Sequence, residues 1–99
     1  FFISADGDAG LDFLVEKDNS ATTTEDVATM SDDTFITTTF FLDKNASQVF
    51  YSIDNAEPVG VAITNLPDDE ELTVSFGIQN GEASAQTMTI DYVVAAVER

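Results

Sequence analysis

Hydrophobic residues recur at every second position along most of this chain and rarely at helical spacing. The clearest case is LTVSFGIQ, residues 72–79. Leu72, Val74, Phe76 and Ile78 fall on one side, and Thr73, Ser75, Gly77 and Gln79 on the other. A period of two is the pleat of a half-buried strand. Val74, Phe76 and Ile78 are therefore expected in the core, with Ile90 and Tyr92 beside them on a neighbouring strand. LDFLVEKD repeats the pattern at residues 11–18, with Leu11, Phe13 and Val15 sharing a face. VFYSIDNAEPVG, residues 49–60, reads as a hairpin. Val49, Tyr51 and Ile53 share one face, Asp54, Asn55 and Pro58 interrupt, and Val59, Val61 and Ile63 resume the alternation.

The remaining elements follow the same logic. FFISAD opens the chain as a short strand. ATTTEDVATM is rich in threonine, which suits a strand with a polar outer face. SDD is a turn. TFITTTFFLDK, residues 34–44, carries Phe35 and Phe41 on one face and Ile36, Phe40 and Leu42 on the other. Apolar residues on both faces predict a central strand covered on both sides. NLPDDEE is a loop, NGEASA a turn, and QTMTIDYVVAAVE the last strand. The fold class expected is all-β, an antiparallel sandwich or jelly roll of about seven short strands. The 99 residues allow one domain, and no linker or internal repeat divides them.

Composition narrows the chemistry. Nineteen acids face three bases, a formal net charge of −16. Such a surface repels nucleic acids and anionic membranes. A hydrophobic share of 43% separates the chain from charge-driven disorder. There is no cysteine, so disulfides and thiolate metal sites are excluded. There is no histidine, so the usual general base and zinc ligand are missing. A Ser-His-Asp triad cannot form. No apolar run approaches a membrane span. No cofactor is implied.

The stretch QVFYSIDNAEPVG, followed by ITNLPDDEELTVSFGIQNGEASAQTMTIDYV, resembles the C-terminal half of concanavalin A-like jelly rolls in structural proteins of tailed bacteriophages. The similar features are an aromatic FY strand, a second strand after the turn, LP, the L-T-x-x-F-x-I-Q-N-G-E-A run and a closing M-T-I-D-Y. They span roughly residues 30 to 99, most specifically Leu66 to Tyr92. Asp54-Asn55-Ala56-Glu57-Pro58 stands where that family often has Asn-Gly or Asp-Gly, so a longer loop is expected here. The resemblance implies a non-enzymatic virion protein, a capsid decoration or accessory head protein on the capsid surface. Its partners would be the major capsid protein, other virion proteins or further copies of itself. It also implies strands upstream of Phe1, where the chain opens within an apolar strand. A glycan- or receptor-binding module of a fibre or spike is the alternative.

Glycosidases need two carboxylates across a cleft. Glu16 and Asp18 alternate but run into a turn, and Asp68, Asp69, Glu70 and Glu71 are consecutive in a loop. Asp6, Asp8 and Asp12 alternate as calcium ligands can, yet the glycine and the closing Glu of a calcium loop are out of place. They read as acids around a glycine turn. Phe50, followed by Asp54 and Asn55, could form a sugar platform, but packing beneath a partner is the stronger reading. The interface candidates are Phe1, Phe2, Phe35, Phe40, Phe41 and Phe50.

Overall fold

Among the described residues six strands form, each overlapping a stretch whose sequence reads as extended. The computed structural model describes residues 1–4, 9–67, 73–79, 83 and 85–96. The strands are β1 (Phe2–Ile3), β2 (Gly10–Lys17), β3 (Ser20–Thr29), β4 (Thr38–Asp43), β5 (Gln48–Ile53) and β6 (Val59–Ala62). They make two antiparallel three-stranded sheets, ordered β1-β2-β3 and β4-β5-β6. No helix occurs among the described residues. The chain divides into two compact units, Phe1–Asp69 and Glu70–Arg99.

All six strands belong to the first unit, and tight turns set their registers. Asp18 and Asn19 both take positive φ, 52° and 60°, between paired Lys17 and Ser20. Two successive residues in that region define the hairpin turn whose twist matches the flanking strands, and Asp and Asn tolerate it. Asn19→Val should therefore cost about 1–2 kcal/mol, since a β-branched residue is strained there. Chemical denaturation measures it, and an unchanged midpoint would contradict this turn. Asp54 and Asn55 repeat the device at φ 49° and 60°, with Ala56 N–H donating to Ile53 C=O at 2.9 Å. The β4–β5 loop is closed differently: Asp43 Oδ1 accepts the amides of Asn45 and Ala46.

The core lies where the apolar faces of the two sheets meet. Phe13 and Val15 of β2, Val49 and Tyr51 of β5, and Leu66 form one buried cluster. The Phe13 and Tyr51 rings stack at 4.7 Å, joining the sheets directly. Phe1, Phe2, Val27, Val61 and Ile63 pack around them. Leu66, expected in a loop, is held by its neighbour: Asn65 Nδ2 donates to Thr22 Oγ1 on β3 at 2.9 Å. This is the arrangement of a small β-sandwich.

Two expectations fail here. The 34–44 segment is not a central strand. Among the described residues only Thr38–Asp43 of this segment is in a strand, at the edge of its sheet, and Phe40, Phe41 and Leu42 are all more than two-fifths exposed. Apolar residues on both faces mark a strand that has a use for two apolar faces; they do not supply the neighbours. The second failure is in the other unit. Val74, Phe76 and Ile78 are each more than half exposed, Ile90 and Tyr92 are exposed too, and none of the described residues there is in a strand. Alternation can prepare a face for burial, but burial needs a hydrogen-bonded neighbour and an opposing layer. Phe76→Ala should consequently cost less than about 1 kcal/mol, as surface substitutions do. A loss of several kcal/mol in a denaturation curve would restore Phe76 to a core. Leu72 lies outside the described residues.

Candidate interaction surface

The sheet β4-β5-β6 carries an aromatic pair on its outer face. Even-numbered residues of β5 point away from the core, because Val49 and Tyr51 point into it. Phe50 is thus outward, paired with Phe41 of β4 on one side and with Gly60 of β6 on the other. The Phe41 and Phe50 rings stack at 5.2 Å and 13°. Gly60 leaves bare backbone beneath them. A Cβ placed there would lie 2.7 Å from Gln48 Oε1 and 3.0 Å from Phe50 Cε1. Gln48 and Phe50 therefore lean across the space that the missing side chain opens. The result is a flat aromatic area with a side-chain amide at its border.

A second aromatic group closes the rim of the core. Phe1 stacks on Phe40 at 4.1 Å and lies 5.9 Å from Phe13. Phe2 meets Phe13 edge-on at 5.1 Å and Tyr51 at 6.4 Å. Of the six interface candidates, Phe1, Phe2 and Phe40 come together here, and Phe41 and Phe50 on the outer face. Phe35 stands apart, 66% exposed.

The remaining candidates are placed as follows. Asp6 and Asp8 lie outside the described residues, as do Asp68, Asp69, Glu70 and Glu71. Asp12 Oδ1 accepts the Asp26 amide at 2.9 Å, where the register between β2 and β3 shifts. Among the described residues no group of three acids could hold a metal. Glu16 borders a shallow cleft with Phe1, Leu14 and Pro67, and Asp18 sits in the hairpin turn. Asp54, expected beside Phe50, instead accepts the Thr37 amide through Oδ1 at 2.8 Å and fixes the entry to β4. Gln48 takes its place next to Phe50. Position 48 shares the parity of 50 on one strand, so the alternation contained that signal.

The open side of β4 completes the surface. Asp54 N–H donates to Thr37 C=O at 2.8 Å, so residues 37 and 54 form a hydrogen-bonded pair. Such pairs alternate along an antiparallel ladder. Thr39, Phe41 and Asp43 consequently bond to β5, while the amides and carbonyls of Thr38, Phe40 and Leu42 point away from it. Among the described residues, β4 pairs with β5 alone.

No known protein family, curated protein or solved structure matches the chain.

Proposed function

We propose that this chain is a non-enzymatic structural component of a bacteriophage virion, the C-terminal part of a concanavalin A-like jelly roll. It would act by adhesion, docking on the capsid shell or on its own copies as a decoration or accessory head protein. The observation that carries the reading is the uncovered apolar surface around β4. Phe35, Phe40, Phe41 and Leu42 are exposed in a chain of net charge −16, and apolar patches on so acidic a surface suit protein partners. The likeness of roughly residues 30–99, most specifically Leu66 to Tyr92, to phage jelly rolls supports the same reading. The test is location. Immunogold labelling with antiserum against this chain should decorate the heads of phage particles purified from its source. Particles free of label, with the antigen in another fraction, would sink the proposal.

A glycan-binding fibre or spike module is the second reading, favoured by the Phe41–Phe50 platform with Gln48 at its border. Aromatic faces stack on sugar rings, and an amide can both donate to and accept from hydroxyls. A glycan array probed with the whole chain separates the two. Binding lost in Phe50→Ala, with folding intact, would favour the module; a silent array would favour adhesion to protein.

A further inference from the structure

Among the described residues the four sheet edges are not guarded alike. β1 is two residues long. β6 is four residues long and is preceded by Pro58. β3 is long, but its register shifts opposite Asp12, and Glu25 and Asp26 occupy the irregular stretch, Asp26 with positive φ. Short length, proline, bulges and charges are the means by which edges avoid pairing with other chains. β4 has none of them over Thr38–Leu42, its one acid, Asp43, standing at the strand's end. Thr38–Leu42 is regular, uncharged and free of proline and glycine, in a chain with nineteen acids.

The geometry points to β4 as a self-pairing seam, whose occupant is β4 of a second copy, antiparallel about a two-fold axis at Phe40. The register follows from the ladder. Only Thr38, Phe40 and Leu42 have outward amides, so the new hydrogen-bonded pairs must join these positions. Centring on Phe40 does so: Thr38 of one copy meets Leu42 of the other, and Phe40 meets Phe40, each pair exchanging both N–H···O bonds. The three-stranded sheets then become one continuous sheet across the axis, the isologous contact expected of a symmetric dimer.

Charge selects this occupant. At −16 each, two copies repel, so a self-contact must keep acids from facing acids. In this register Asp43 lies opposite Thr37, and Lys44 opposite Ile36. Within the paired strands no carboxylate opposes another. On the outer face, Phe41 meets Thr39 of the other copy, a favourable aromatic–β-branched cross-strand pair that extends the row begun by Phe50. The seam gives the adhesion reading a surface but does not depend on it: a chain that labels phage heads yet never pairs would lose the seam and keep the adhesion.

The test uses the whole chain. Sedimentation should show a monomer–dimer equilibrium shifted toward dimer by salt, since the Debye length falls from about 10 Å at 0.1 M to about 3 Å at 1 M. Thr38→Pro removes one outward donor and no bond to β5, and should weaken the dimer at least tenfold with an unchanged circular-dichroism spectrum. Leu42→Glu, which leaves the backbone alone, should weaken it as well. A spin label on Lys44→Cys, the only thiol in the chain, reads the register. Eight residues of antiparallel strand at about 3.4 Å each place the two labelled Cα atoms about 27 Å apart. A monomer at every salt concentration, a dimer indifferent to both variants, or a label distance far from that value would each overturn the seam.

Discussion

Phe13→Ala is expected to lower the unfolding free energy of the first unit by about 3–5 kcal/mol, the range for emptying an aromatic site in a packed core. Phe13 is fully buried and is the centre of the aromatic contacts. Phe1 and Tyr51 stack on it, Phe2 meets it edge-on, and it joins one sheet to the other. No single neighbour can fill the space, because Phe1 is also engaged with Phe40 and Tyr51 is fixed in β5. Small domains hold only about 5–15 kcal/mol in total, so the variant should stand at the edge of folding at 25 °C. Urea titration followed by far-ultraviolet dichroism measures the loss. A value under 1 kcal/mol would mean that the sheets do not meet through Phe13.

Val49→Asp should be worse. Val49 is 1% exposed, on the sheet opposite Phe13 and Val15. A carboxylate there has no cationic partner in its cluster, and an unpaired buried charge costs several kcal/mol before relaxation. The protein responds by unfolding or by holding the carboxyl neutral. In the second case burial raises the folded-state pKa above the unfolded value of about 3.9. The sign then follows from linkage. Below the unfolded pKa both states are neutral and the charge term vanishes. As pH rises through the interval between the two values, the unfolded state ionises first and stability is lost; above the folded pKa the loss is complete. The variant should therefore be more stable, relative to the parent, at pH 4 than at pH 7. Parallel denaturation curves at the two pH values check this, and equal penalties at both would show that residue 49 reaches water.

Much of the first unit was legible because its signals are local. Leu11, Phe13 and Val15 alternate against charged neighbours, and one covered face is the only arrangement that satisfies them. Val49 and Tyr51 were readable for the same reason. The hairpins were marked by Asp-Asn pairs, whose short polar side chains accept positive φ. What stayed illegible depends on partners. From sequence, Phe40 and Phe41 look the same on a central strand as on an open edge, since both require apolar faces. Whether another strand lies alongside is a property of topology. Leu66 was hidden because a single apolar residue between Asn65 and Pro67 has no period to reveal it. The surface at Phe41, Phe50 and Gly60 was half visible. Phe50 was singled out, but cross-strand register, which sequence does not supply, decides that Phe41 and not Asp54 is its companion.

The two tyrosines fall one to each unit, and the chain has no tryptophan. Tyr51 is 8% exposed beneath Phe13, whereas Tyr92 is 64% exposed. The protein therefore carries its own pair of optical reporters. Neutral acrylamide should quench the emission of Tyr92 and spare Tyr51, dividing the fluorescence into an accessible and a protected fraction. Iodide, an anion kept at a distance by the acidic surface, should quench both less efficiently at low ionic strength. During denaturation, disappearance of the protected fraction marks the opening of the Phe13–Tyr51 contact. Unfolding of residues 1–69 can thus be followed in the unmodified chain, against a tyrosine in the other unit that is already exposed to solvent.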